Sequence, residues 1–260
     1  MGYYAPFPHP AVALEDVSVR LGGLQILDSV SIAAPRGAVT GLIGPNGAGK
    51  TTVFNVMSGF VPADSGSVVL NGQHVHHVRP QQLTRRGVAR TLQGVGLFPS
   101  LTVLDNVMMG APTRFGVIAD ALAMPWVDRE RRQMEERARE ALVSLGIEGE
   151  SSRLPSELPY PVQKRVALAR ALVSDPSVLL LDEPAGGIGE ADMQDLERLI
   201  RSWVPDRTVV LVEHHMELVM AVCDFIWVLD AGQVIASGTP EQIRSDPAVL
   251  AAYLGEEGAA

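Results

Sequence analysis

Residues Gly44 to Thr52 read Gly-Pro-Asn-Gly-Ala-Gly-Lys-Thr-Thr and follow directly on the apolar run Val39 to Ile43. The run has the length of a buried strand, and the amphipathic stretch Thr51 to Met57 has a helical pattern. A strand, a tight glycine-rich turn and a helix in succession restrict this part of the chain to a phosphate-cradling loop at the end of a parallel strand. Gly44, Gly47 and Gly49 permit backbone conformations closed to other residues and let the main chain approach an anion closely. Pro45, Asn46 and Ala48 complete the loop, whose N–H groups and helix N-terminus supply positive dipole. Lys50 adds a formal charge for the terminal phosphates. The Thr51 hydroxyl is placed to ligate Mg²⁺, and Thr52 is a weaker second donor. The pattern implies binding of ATP or GTP.

A second segment, Val178 to Pro184, is an apolar strand that ends in two adjacent carboxylates. Beside a phosphate loop, the first of these can hold Mg²⁺ through water and the second can orient an attacking water or accept its proton. Asp182 is therefore the expected metal residue and Glu183 the expected base.

Composition narrows the class. The 260 residues carry 47% hydrophobic side chains, enough for one large domain. A formal charge of −9, without a basic stripe, argues against a nucleic-acid platform. Cys223 is the only cysteine, so no disulfide can form within the chain, and its apolar neighbours predict burial. Residues 1–10 lack the basic start and apolar stretch of a signal peptide and read as an exposed arm. No run reaches the roughly 18 to 20 apolar residues that cross a bilayer.

Along the chain, Val12 to Val19 alternates apolar and polar residues, and Val68 to Leu70 leads through Asn71-Gly72 to Val75, a hairpin signal. The short continuous apolar runs Val39 to Ile43, Val178 to Leu181 and Val209 to Val212 predict parallel strands buried on both faces. Asp128 to Leu145 reads as a helix with Met134, Ala138, Ala141, Leu142 and Leu145 on one face. Its opposite face is charged, with Arg131–Glu135 and Arg132–Glu136 one turn apart. His74, His76 and His77 read as a surface turn, and Trp126, Trp203 and Trp227 as packing residues. The expected fold class is α/β: a P-loop NTPase core with a mixed, largely parallel sheet, an antiparallel β subdomain and an inserted α-helical subdomain. Residues 1–10 form the arm. Residues 11–260 form a single domain, with the core about 11–93 and 165–260 and the helical subdomain about 94–164.

With both motifs in place, the chain resembles the ATP-binding subunits of ABC transporters from about Val12 to Leu254. Gln93, in Ala89-Arg90-Thr91-Leu92-Gln93, matches the family's Mg²⁺-contacting glutamine, and Leu211-Val212-Glu213-His214 matches the strand ending in the switch histidine that contacts the γ-phosphate. His215 stands where many relatives have Asp. Leu97-Phe98-Pro99-Ser100-Leu101-Thr102-Val103 and the ending Gly238 to Glu256 look like the branched-chain amino acid importer subgroup, features shared by urea and amide importers. Lipopolysaccharide-export ATPases share the ending but are less similar around Gln93. The resemblance implies a transport-coupled ATPase with ATP and Mg²⁺ as cofactors. The metal would be held by Thr51, Gln93 and Asp182, with Lys50, Glu183 and His214 catalytic. The implied partners are permease subunits, a second ATPase subunit and, indirectly, a solute-binding protein. The implied location is cytoplasmic, peripheral on the inner face of the plasma membrane.

The family's signature segment, Leu-Ser-Gly/Tyr-Gly-Gln, here reads Leu158-Pro159-Tyr160-Pro161-Val162. In relatives its serine hydroxyl and glycine N–H reach the γ-phosphate held by the opposite subunit. Pro159 has no hydroxyl and Pro161 no N–H. Each lost charge-assisted donor would cost about 1.5 to 3 kcal/mol, slowing that site by roughly one to two decades. One good and one impaired composite site are expected, the good one pairing this chain's phosphate loop with an intact signature from a different subunit; a homodimer is the other arrangement. A regulatory subunit with little hydrolysis of its own is the alternative. Leu21 lies where relatives stack an aromatic side chain on adenine, and Gly189 where they carry Asp or Asn in the loop that communicates across the dimer.

Overall fold

The computed structural model describes residues 7–75, 77–91, 94–112 and 125–257, excluding the side chains of 125–127 and 254–257. Two sheets organise it. The smaller is antiparallel, in the order β2-β1-β4-β5, from β1 (Val12–Leu21), β2 (Leu24–Ala34), β4 (Ser65–Leu70) and β5 (Gln73–Val75). The larger runs β10-β9-β3-β8-β7-β6, from β3 (Val39–Ile43), β6 (Val88–Arg90), β7 (Val178–Asp182), β8 (Thr208–Val212), β9 (Phe225–Asp230) and β10 (Gln233–Gly238). Only β10 is antiparallel to its neighbour. Asn71 and Gly72, at φ 51° and 79°, make the two-residue turn between β4 and β5. Left-handed backbone at both positions matches the right-handed twist of the strands, which is why Asn-Gly marks such a turn.

The continuous apolar runs have a direct cause. Leu179 and Leu181 of β7, with Val209 and Leu211 of β8, face one hydrophobic core, while Val178, Leu180, Val210 and Val212 face another. Alternate side chains thus enter separate cores, so neither face tolerates polar residues. The first core lies under helices α2 (Val103–Met108), α3 (Pro125–Ser144), α4 (Tyr160–Leu172), α5 (Glu190–Ser202) and α6 (Met216–Val222). The second is closed by the antiparallel sheet and by α1 (Lys50–Met57). Trp227 joins the two sheets, its Nε1–H donating to Ala33 O at 2.8 Å. Two short helices, α7 (Pro240–Arg244) and α8 (Pro247–Glu257), follow β10.

In α3, Ala138, Ala141 and Leu142 are buried, as is Leu145 just beyond it, and Met134 packs on the same cluster. The ion pair seen on its charged face differs from the expected Arg131–Glu135: Glu135 binds Arg139, at 2.9 Å. Glu four residues before a cation is the orientation the helix dipole favours. Helices α2, α3 and α4 pack against one another. The expected arm is attached at its end, where the Phe7 ring meets Phe225 edge-on at 5.0 Å and Pro10 is buried. Cys223 is buried, and burial pushes its thiol far above the ordinary range. His74 Nδ1 lies 3.2 Å from Glu15 Oε2. Trp203 and Trp227 are buried; His76 and the Trp126 side chain lie outside the described residues. No described helix is long and apolar enough to cross a membrane.

Candidate active site

The sequence motifs meet because four parallel strands deliver them to one edge. Val39 to Leu42 of β3 pair with Val209 to Val212 of β8, Asp182 pairs with Val212, and Arg90 with Leu180. The C-terminal ends of β3, β7, β8 and β6 therefore carry, side by side, the phosphate loop, Asp182-Glu183, Glu213-His214 and the approach to Gln93. Ligands of such sheets bind off the carboxyl ends of the strands. Gln93 itself lies outside the described residues.

Glycine conformation and close packing shape the loop. Gly44, Gly47 and Gly49 have φ of 150°, 78° and 102°. A Cβ on Gly44 would lie 1.9 Å from Leu229 O, and one on Gly49 2.8 Å from the Leu27 side chain. These two positions require glycine by space as well as by conformation. The turn between β9 and β10 braces the loop, Gly232 N donating to Ala48 O at 3.0 Å. Gly44, Pro45 and Ala48 are buried, whereas Asn46, Gly47 and Thr51 are exposed and Gly49, Lys50 and Thr52 half-buried. The Lys50 Nζ donates to Gly44 O at 2.6 Å and Pro45 O at 2.7 Å, folding across its own loop. An ammonium beside a glycine-rich turn at a helix start fits a polyphosphate.

Asp182 is buried at the end of β7, its N–H donating to Thr91 Oγ1 at 3.1 Å. Its Oδ2 accepts from Arg90 Nη2 at 2.7 Å. The same guanidinium donates from Nη1 to Asn55 Oδ1 and Ser58 Oγ and lies near the Phe54 and Phe60 rings. Arg90 thereby ties the carboxylate to the far end of α1. A carboxylate with one oxygen so fixed keeps the other for a water-mediated metal contact, so the residues present fit Mg²⁺. Glu183 sits one residue on, half-buried, at φ 47°. A non-glycine residue there stores roughly 1–2 kcal/mol of strain.

His214 is exposed beyond β8. Beneath it Glu213, 1% exposed, accepts at Oε2 from the N–H groups of His214 (2.9 Å) and His215 (3.1 Å), and lies 2.9 Å from His215 Nδ1. Its Oε1 accepts from Ala185 N at 2.7 Å, which links the histidine turn to the turn after Glu183. These bonds occupy Glu213, although its carboxylate and the two imidazoles lie close enough to suggest a metal cluster.

Pro159 is the N-cap of α4, with no capping side chain, and Pro161 lies in the first turn. The N–H groups of Val162 and Gln163 both donate to Pro159 O, at 3.0 and 3.1 Å. Gln163 also donates from Nε2 to Leu158 O at 3.0 Å. With Pro159 and Pro161 lacking N–H groups and that of Val162 bonded, the first turn of α4 is poor in donors for a phosphate. Gly189 caps α5 without a side chain. Leu21 ends β1 half-exposed, beside the Gly22-Gly23 turn.

Sequence reasoning missed four participants. Arg90, Glu213 and Lys164, whose Nζ donates to Glu183 O at 2.9 Å, all sit in segments whose neighbours the motifs single out. The fourth, Asn106, is fully buried, accepts from Phe98 N, and donates to the carbonyls of Phe98, Leu101 and Thr102, holding the loop before α2. A polar residue among the apolar positions Val103, Leu104 and Val107 was the available signal. The other three gave none, because charged residues beside motifs are common.

Fold and site together define a nucleotide-binding cassette. The profile of the ABC transporter family matches residues 27–186, so the chain belongs to that family of transport ATPases, as an ATP-binding subunit. A second profile, for the branched-chain amino acid ATP-binding cassette transporter, matches residues 233–259. The chain is 38% identical over 251 residues to the high-affinity branched-chain amino acid transport ATP-binding protein LivG of Escherichia coli, covering 95% of this chain and 98% of that one. Identity to the lipopolysaccharide export system ATP-binding protein LptB of Escherichia coli is 32% over 236 residues, 90% of this chain and 93% of that one. An ATP-binding cassette of an ABC transporter solved in its ADP conformation superposes with a TM-score of 0.82 at 30% identity, covering 95% of this chain and 99% of that one.

Proposed function

We propose that this chain hydrolyses ATP on the cytoplasmic face of a membrane to drive a permease for branched-chain amino acids or a related small polar solute. The substrate class rests on the profile match at residues 233–259 and on the 38% identity to LivG, which, against 32% to LptB, favours this reading over lipopolysaccharide export. ATP would lie along Gly44 to Thr52. Lys50 would leave its loop carbonyls for the terminal phosphates, and Thr51, Gln93 and Asp182 would hold Mg²⁺, which when bound neutralises charge developing on the phosphate oxygens. Glu183 would orient the attacking water and take its proton, and His214 would hold the γ-phosphate end of the site. Residues about 94–164 would form the helical subdomain that faces the permease.

The partner we infer is a second, different ATPase subunit with an intact signature. The observation behind it is the start of α4, where prolines replace the hydroxyl and one N–H that a γ-phosphate would need. The site built on this chain's own phosphate loop would be the competent one. A tag on this chain should co-purify permease subunits and a second ATPase subunit, and the complex in vesicles should take up labelled leucine. Glu183→Gln should keep ATP binding and stop both hydrolysis and uptake. Unchanged turnover in that variant would remove Glu183 from its role, and uptake of no branched-chain amino acid, urea or amide would overturn the substrate class.

A further inference from the structure

Lys164, one turn into α4, is almost completely buried, an unusual place for an ammonium. Its Nζ donates to the backbone carbonyl of Glu183 at 2.9 Å. Gly186 N donates to that carbonyl as well, at 3.2 Å, and Glu183 N donates to Val212 O at 2.9 Å. Glu183 is thus gripped at both ends of its peptide while in the left-handed region at φ 47°. A conformation that costs free energy persists only where surrounding contacts hold it, and such positions concentrate where geometry matters.

The other side of the ammonium is covered by Tyr160, whose ring centroid lies 5.6 Å from Nζ. That ring also presses on the turn after Glu183, where a Cβ added to Gly187 would come 2.9 Å from Tyr160 Cε1. Burial lowers the affinity of the Lys164 amine for its proton, and the negative fields of Glu213 and Glu183 oppose this. Tyr160 belongs to the segment proposed to approach the opposite subunit's nucleotide, and Glu183 to the site on this chain's own loop. One side chain therefore touches both.

We infer that Lys164 is a positioning residue for Glu183: it fixes the strained backbone that aims the carboxylate and, through Tyr160, makes that aim depend on the start of α4. The inference rests on the reading of Glu183 as the group that orients water. No proton or bond transfer passes through Lys164. Because its contact is to the carbonyl and not to nucleotide, its removal should slow turnover without weakening ATP binding. In a heterodimer with one impaired site, this contact would carry the state of the impaired interface to the competent site within a single chain.

The test compares Lys164→Met, Lys164→Arg and Tyr160→Leu in the tagged complex, by single-turnover hydrolysis of MgATP, steady-state kcat and KM, and affinity for a fluorescent ATP analogue. Lys164→Met should lower kcat about tenfold or more, the usual scale for loss of a charge-assisted hydrogen bond, with KM and analogue affinity within about twofold of the parent. Lys164→Arg, which keeps a donor, should recover most of the loss. Tyr160→Leu, on a half-exposed ring, should lower kcat about two- to fivefold at unchanged KM, and tests the same link should Lys164→Met fail to fold. A folded Lys164→Met with parental kcat, a loss that appears equally in KM, or a parental kcat in Tyr160→Leu would overturn the inference. Glu183→Gln is run alongside. If it abolishes hydrolysis while the Lys164 and Tyr160 variants behave as parent, the inference fails and the assignment of Glu183 stands; if it hydrolyses normally, that assignment fails first.

Discussion

Helices α1 and α4 present the same dipole at their N-termini with opposite equipment. Ahead of α1 stand Gly49 at φ 102°, the exposed residues Asn46 and Gly47 and the Lys50 ammonium. Ahead of α4 stand Pro159 and Pro161, and the Val162 N–H is already spent on Pro159 O. A helix dipole is common to all helices, so what separates an anion site from a plain helix start is the count of uncommitted donors and any added charge. On the proposed reading, one end binds the phosphates of its own nucleotide and the other gives little to its neighbour's.

The support behind α1 is the firmest part of this contrast. Arg90 and Asp182, 8% and 3% exposed, form a buried pair that also anchors Asn55 and Ser58. Arg90→Met should destabilise the chain by about 3–5 kcal/mol by leaving a buried carboxylate alone, and adding Asp182→Asn should recover much of it. Urea unfolding of the single and double variants would show this, and a single-variant loss below about 1 kcal/mol would detach the pair from the stability of the site. Next in size, Lys50→Ala should cut MgATP turnover by about two to three decades, since the cation acts directly on phosphate charge. A fall of less than tenfold in single-turnover assays would make the loop dipole sufficient by itself.

The weaker end invites repair. Pro159→Ser, Pro161→Gly and Val162→Gln together should raise ATP hydrolysis by the chain alone by roughly one to two decades, restoring donors worth about 1.5–3 kcal/mol each. An unchanged rate in a dimer of this chain would place the deficit elsewhere. The smallest effect is expected at Gly189, which caps α5 at φ −84° with open space where a side chain would go. Gly189→Asp should add a few tenths of a kcal/mol through a cap hydrogen bond to the first turn, seen as a rise in Tm of about 1 °C. No rise would mean that the first turn of α5 gains nothing from a cap.

How much of this was legible beforehand follows from the range of each interaction. The strand runs at Val39, Val178 and Val209, the Asn71-Gly72 turn and the glycines of the phosphate loop obey rules that act within a few residues, and the structure contains them all. The burial of Ala138, Ala141, Leu142 and Leu145 follows from helical period. Arg131 and Arg139 are equally spaced from Glu135, so spacing alone does not choose between them; the pair with Arg139 is the one the structure shows, and it has the orientation that the helix dipole favours.

The sequence by itself determined a phosphate loop, a pair of strand-end carboxylates, the layered α/β class, and the missing donors at Pro159 and Pro161, because each is a property of a short segment. Only the tertiary structure decided that Arg90 would hold Asp182, 92 residues away, that Glu213 would hold Ala185, and that Lys164 would hold the Glu183 carbonyl. These contacts depend on which strand ends lie side by side and which helix covers them. That is fixed by the packing of whole layers, and no local spacing encodes it.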